Sequence, residues 1–305
     1  MMIKALIWNI RSINTQQAFQ RLVMLQRQYK CFIIALMETF QNCRHLQKYK
    51  RRLGMESAIP NVNGKIWGFL DVVVQWEVLM DTEQQITLKL FHQDIGKEII
   101  ATFVYAKCDK VERLELWDNM YNLASTIELP WMVGGDFNVI ISKDEKLGIL
   151  PVTLVECEDF AFCVNSCGLF DIGFKGSPFT WWNGRAAEDC IFKRLDRVLA
   201  NLPFQNNFPQ IEVEHLSKTG SDDSPLILSC GEEAISFVKP FRFLNFWAKH
   251  ESFKETVRQN WRTPFAVSPF LAFKQKLKNL KEVLSRWTRE TYGDIFQQLA
   301  IGKKL

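Results

Sequence analysis

The feature that most constrains this chain is the run Pro130-Trp131-Met132-Val133, which leads directly into Gly134-Gly135-Asp136-Phe137-Asn138. An apolar run of this length closed by two glycines describes a short buried strand whose end is approached closely by backbone or ligand. Period-two alternation puts Asp136 and Asn138 on one face of that strand. A carboxylate beside an amide can orient a water against a phosphorus centre and donate to the oxyanion that develops. The competing reading is a strand-end turn capped by an Asx side chain, which Asp and Asn favour on their own account.

With 305 residues, 47% hydrophobic and 13% aromatic, the chain can bury a full core, as one large domain or a domain with an appendage. No run of 18 or more apolar residues occurs, so neither a transmembrane helix nor a membrane partner is expected. The start, Met1-Met2-Ile3-Lys4, lacks the pattern of a signal peptide. The eight cysteines contain no CxxC pair, and Cys157, Cys163 and Cys167 have no histidine nearby. They read as small buried hydrophobes rather than zinc ligands. A reducing compartment is therefore expected, nuclear or cytoplasmic, with no disulfide-linked partner.

The net charge of +4 is unevenly spread. Residues 1–235 hold 24 Lys/Arg against 29 Asp/Glu, whereas residues 236–305 hold 14 against 5. A mildly acidic body with a basic tail suggests two functional parts, and basic tails often meet nucleic acid.

Along the chain, residues 2–8 read as a buried strand ending at Asn9, and 15–29 as a helix. Cys31 to Met37 is a second buried strand, closed by Glu38. Weaker strands are predicted at 65–70, 72–79, 85–92 and 98–105, the last ending at Tyr105. A helix over 111–127 should turn Leu114, Trp117, Tyr121 and Leu123 to the core. Beyond Asp136 come a helix near 153–167 and short strands near 170–172, 179–182, 190–199, 211–215 and 225–229. Hairpin-like strands mixed with strand–helix–strand units predict an α/β (α+β) fold, two packed mixed β-sheets flanked by helices in a four-layer sandwich. Asn9, Glu38, Tyr105, Asp136 with Asn138, Asp196 and Ser221-Asp222 all stand where strands end, which is where ligand sites form in sheet proteins.

The ordered set Trp8-Asn9, Met37-Glu38-Thr39, Val104-Tyr105, Gly134-Gly135-Asp136-Phe137-Asn138, Ser177-Pro178-Phe179-Thr180-Trp181, Arg194-Leu195-Asp196-Arg197 and Ser221-Asp222-Asp223-Ser224-Pro225 resembles the endonuclease/exonuclease/phosphatase superfamily. More narrowly, it is similar to the apurinic-type endonuclease domain that opens plant LINE-type (non-LTR) retrotransposon polyproteins. The likeness runs from residue 3 to about 230 and continues through Phe241-Arg242-Phe243 and Trp261. It implies an endonuclease-like domain over 1–232 and, over 233–305, a basic helical linker of the kind that precedes a reverse transcriptase. The chain stops at Leu305 with no reverse-transcriptase motif, so a truncated element copy is expected.

The resemblance also implies roles. Glu38 is the expected carboxylate ligand of Mg²⁺ (or Mn²⁺), with Asn9 and Asp222 completing the metal set; Mg²⁺ keeps several waters, so few protein ligands suffice. Asp136 orients or deprotonates the attacking water, Asn138 holds the phosphate, and Tyr105 donates to a phosphate oxygen or stabilises the leaving group. Asp196 fixes the geometry, Asp222 orients the last motif residue, and Asn9, Arg11, Thr180 and Ser221 belong to the substrate-binding set, Thr180 on the nucleic-acid backbone. The implied reaction is metal-assisted hydrolysis of a phosphodiester in duplex DNA, leaving a 3′-hydroxyl.

One departure stands out. The family's last motif reads Ser-Asp-His, with the histidine on the scissile phosphate; this chain has Ser221-Asp222-Asp223. An ionised Asp223 can only accept, and its charge a few ångströms from a phosphate costs on the order of a few kcal/mol, or about a hundredfold in rate. His215 lies in the preceding strand, and His45, His92 and His250 lie outside every motif. A weakened nuclease is therefore expected; a relic that at most binds nucleic acid, or a phosphatase of the same fold, are the alternatives. In the tail, Phe273, Leu277, Leu280, Leu284 and Trp287 form an apolar seam on one predicted helix, with Lys274, Lys276, Lys278 and Lys281 on other faces.

Overall fold

A computed structural model describes residues 2–148, 155–185, 189–231, 247–248, 250–261 and 269–292. Phe241-Arg242-Phe243 lie outside the described residues. The strands, in chain order, are β1 (Met2–Asn9), β2 (Ile33–Met37), β3 (Ser57–Pro60), β4 (Ile66–Leu70), β5 (Val74–Asp81), β6 (Gln85–His92), β7 (Lys97–Tyr105) and β8 (Trp131–Asp136). They continue with β9 (Lys146–Leu147), β10 (Leu169–Asp171), β11 (Lys175–Gly176), β12 (Trp181–Trp182), β13 (Phe192–Lys193), β14 (Asp196–Asn201), β15 (Gln210–His215) and β16 (Leu226–Gly231). The helices are α1 (Gln16–Tyr29), α2 (Leu46–Leu53), α3 (Leu114–Ala124), α4 (Val155–Ser166), α5 (Leu202–Asn207), α6 (Phe253–Asn260) and α7 (Pro269–Tyr292).

Two large mixed sheets result. One runs β11-β15-β16-β1-β2-β4-β3, the other β10-β14-β8-β7-β6-β5, and β12-β13-β9 form a small third sheet. Parallel pairs need a crossover. Helix α1 supplies it between β1 and β2, and α3 between β7 and β8. Alternation along the central strands then explains the layers. Ile3, Ala5 and Ile7 of β1 join Ile33, Ala35 and Met37 of β2, and Ala101, Phe103 and Met132 from the other sheet, in one core between the sheets. The intervening Leu6, Trp8, Ile34 and Leu36 pack under α1 and α2, while Ile100, Val104, Trp131 and Val133 pack under α3 and α4. Strands covered on both faces must be apolar at every position, which is why they read as unbroken runs.

Three expectations need correction. The buried face of α3 is Leu116, Trp117, Met120 and Leu123, and Leu114 and Tyr121 are exposed. The helix carries two overlapping apolar stripes, and the one that meets Phe137 and Phe160 is buried. The predicted strand 190–199 is two strands, because the amides of Leu195 and Asp196 leave the ladder and donate to Thr180 Oγ1. The seam on α7 is buried at Leu284 and Trp287, which close on Trp247, whereas Phe273 and Leu277 are exposed. Met1–Ile235 and Ser236–Leu305 are separate compact units. Among the described residues, no helix is long and apolar enough to cross a membrane.

Candidate active site

The sheet registers bring one set of strand ends together. Asn9 pairs with Met37, so Glu38 follows immediately beside it, at φ 51° as the chain leaves β2. In the other sheet Asp136 lies between Tyr105 on β7 and Asp196 on β14. The glycines before Asp136 allow this close approach. A Cβ on Gly135 would lie 2.0 Å from the Val104 carbonyl oxygen, with φ at +150°, and one on Gly134 would meet Ile7 Cδ1 at 2.5 Å.

Two hydrogen bonds cross between the sheets at this end. Asn9 Nδ2 donates to Asp136 Oδ2 at 2.9 Å, and the Tyr105 hydroxyl donates to Glu38 Oε1. The other Asp136 oxygen accepts the Asn138 amide at 2.9 Å. Asn138 itself sits at φ 50°, beyond the end of β8, and its side-chain amide donates to the Ala106 carbonyl at 2.7 Å. The Asx turn is therefore the geometry found here; the two side chains do not share a strand face, because the strand stops at Asp136.

The loop before β16 closes the ring. Ser221 Oγ donates to the Asn9 carbonyl at 2.9 Å and accepts the Asp223 amide at 3.2 Å; Trp8 Nε1 donates to the Asp223 carbonyl at 3.2 Å. Asp222 takes Arg11, whose guanidinium it holds above its ordinary range. Thr180 is fully buried, its hydroxyl bound to two amides of the β13–β14 turn, so it supports Asp196 from below. The backbone contact expected of it does not suit that position.

Electrostatically the site is crowded with acid. Glu38, Asp136, Asp196, Asp222 and Asp223 act on one another, while Asp196 Oδ2 and Asp223 Oδ1 are buried without a hydrogen-bond partner. Burial pushes Asp136 up to about 6 against the stabilising hydrogen bonds from Asn138 and Asn9. Burial first, then neighbouring carboxylates, holds Asp196 and Asp223 well above the carboxylate range. That alters the expectation for Asp223. The burial that makes an ionised carboxylate costly favours its neutral form, which can donate. Tyr105 is raised as well, by burial and then by Glu38.

The Glu38 and Asp222 carboxylates and the Asn9 amide offer oxygens of the kind hard cations take, and a divalent ion would relieve the repulsion among the acids. Among the described residues, no group of three or more His, Cys, Asp and Glu is arranged to hold a metal ion. His215 is no substitute for a site histidine. It is buried on β15, bound through Nδ1 to the Ser177 carbonyl at 2.8 Å, stacked on Phe174, and lowered to about 4 by burial.

Sequence reasoning did not find what fixes β14. Arg194 and Arg197, on either side of Asp196, both pair with Glu145 and Asp171. Arg197 is 0% exposed and is held by two nitrogens on Glu145 at 2.8 and 3.0 Å. Two arginines so close to a buried strand were the available signal, since buried guanidinium groups require carboxylate partners.

No protein-family model matches the chain, and no curated protein is detectably similar to it in sequence. Solved structures do share its fold. The endonuclease domain of TRAS1, a telomere-specific non-LTR retrotransposon, superposes with a TM-score of 0.56 at 14% identity, covering 76% of this chain and 99% of that one. An AP endonuclease from Archaeoglobus fulgidus gives 0.57 at 18% identity over 74% of this chain and 98% of its own. AP endonuclease LMAP from Leishmania major gives 0.58 at 14% identity, over 76% and 88% respectively. The chain thus has the endonuclease/exonuclease/phosphatase fold, with two mixed sheets between helices.

Proposed function

We propose that residues 1–232 are a Mg²⁺-dependent (or Mn²⁺-dependent) phosphodiesterase that nicks duplex DNA, related to the endonucleases of LINE-type non-LTR retrotransposons of plants and weakened at Asp223. Residues 233–305 are its basic helical linker. The observation that carries this reading is the pair of hydrogen bonds, Asn9 to Asp136 and Tyr105 to Glu38, which lock carboxylates from both sheets at one mouth.

Glu38, with Asn9 and Asp222, would hold the metal, which supplies positive charge to the phosphate and lowers the pKa of its water. The chain's own groups do the rest. Asp136, raised to about 6, is a base poised near neutral pH, and Asn9 and the Asn138 amide fix its orientation. Arg11, Tyr105, Asn138 and Ser221 bind or orient the phosphate around it, while Asp196 and the buried Thr180 hold the floor.

The metal assignment is tested by thermal unfolding. At ten times its dissociation constant, Mg²⁺ should raise the melting temperature by about 3–5 °C. Glu38→Gln should abolish that shift and Asp223→Ala should keep most of it; equal losses would overturn the assignment. The absence of the family's histidine favours a second reading, a relic that binds DNA without cutting it. That reading predicts duplex binding with no Mg²⁺-dependent product.

A further inference from the structure

The loop between β15 and β16 presents Lys218 on the Asp223 side of the mouth. The loop is pinned rather than free. The Leu216 amide donates to the Pro225 carbonyl at 2.9 Å, Ser221 is tied to Asn9, and Gly220 at φ +86° packs so tightly on α1 that a Cβ would lie 2.8 Å from Ala18 Cα. Lys218 is half-buried, with its ammonium 5.7 Å from the Phe192 ring centroid. Phe192 stands opposite Trp182, and the adjacent Trp181 bridges to Asp223, so this hairpin connects Lys218 to the site.

Four arginines of the domain are engaged within the protein. Arg11 is taken by Asp222, Arg194 and Arg197 by Glu145 and Asp171, and Arg113 by the carbonyls of Lys107 and Cys108. Lys218 differs. No carboxylate among the described residues lies within 4.0 Å of its nitrogen, yet Asp223, Asp196 and Asp222 all act on it and oppose the cost of its burial. An ammonium kept among acids without a committed partner retains its donors for an incoming anion. Lysine is suited to that role, as a compact charge for phosphate oxygens.

We infer that Lys218 is a phosphate-contacting residue of this site, supplying positive charge on the Asp223 side of the mouth. The inference rests on the phosphodiester reading above but concerns substrate binding, which can be measured apart from hydrolysis. It also defines the site's occupant as a polyanion, because the ammonium must exceed the repulsion of nearby carboxylates, which one phosphate alone does weakly and a duplex backbone does collectively.

The test is fluorescence anisotropy with a fluorescein-labelled DNA duplex, Ca²⁺ replacing Mg²⁺, across a salt series, with plasmid nicking in Mg²⁺ in parallel. Lys218→Met should weaken duplex binding about tenfold and reduce the salt slope by about one. Lys218→Arg should recover most of the affinity, and Lys89→Met, which removes a β6 lysine paired with Glu98 of β7, should leave it unchanged. Wild-type affinity and slope in Lys218→Met, or an equal loss in Lys89→Met, would overturn the assignment. Loss of binding in Lys218→Met with no nicking by wild type would support Lys218 as a contact and refute the hydrolytic reading. A wild-type protein that does not bind the duplex would overturn both.

Discussion

At the scale of single residues, the proposed activity turns most on Asp223. Its side chain is 2% exposed, one oxygen has no partner, and Asp196, Asp136, Asp222 and Glu38 all disfavour its charge. The sequence alone suggests an acceptor repelling the phosphate; the structure favours a neutral acid, whose single proton makes it a poor but usable donor. Asp223→His should raise Mg²⁺-dependent nicking by about ten- to a hundredfold, because an imidazole donates better and can carry positive charge. Asp223→Asn should help less, and a wild type that already matches Asp223→His in a plasmid assay would show that the aspartate is tolerated. No motif could have revealed that Asp223 and Thr180 are interior, since burial there depends on β12 and the loop before β16 meeting across the sequence.

At the scale of elements, the strand that delivers Asp136 succeeds because its glycines differ in kind. Gly135 has φ +150° and would place a Cβ against backbone, the Val104 oxygen at 2.0 Å, where nothing can yield. Gly134 would meet the end of a flexible Ile7 side chain. Gly135→Ala should therefore cost on the order of 3 kcal/mol or more, and Gly134→Ala about 1 kcal/mol, read as shifts in urea midpoint. Equal costs would mean that the β7–β8 approach is not what the motif protects. The strands β1, β2 and β8 were legible because burial on both faces leaves an unbroken apolar run. Helices α2 and α5 were not: α2 is eight residues with three adjacent basic positions, Lys50, Arg51 and Arg52, and α5 is six residues behind an Asn201 cap. The break between β13 and β14 was hidden for another reason, since it is made by Thr180 from a different part of the chain.

At the scale of the molecule, one end of two sheets becomes a site because the parallel pairs β1–β2 and β7–β8 leave Asn9, Glu38, Tyr105 and Asp136 at adjoining strand ends. The strand-end rule found these residues; it could not find Lys218 in the β15–β16 loop or Glu145 in a short helical turn, and Asp171, though it closes β10, matters only through the arginines it faces. The proposed activity of this constellation is hydrolysis of phosphodiesters with a divalent metal. Conversion of supercoiled plasmid to open circle tests it most directly, with wild type, Asp136→Asn and Glu38→Gln compared in Mg²⁺ and in EDTA. Wild type should nick slowly in Mg²⁺ alone, and each variant should fall at least about a hundredfold below it. Nicking that persists in EDTA or survives both substitutions would contradict it, as would no nicking by wild type or by Asp223→His.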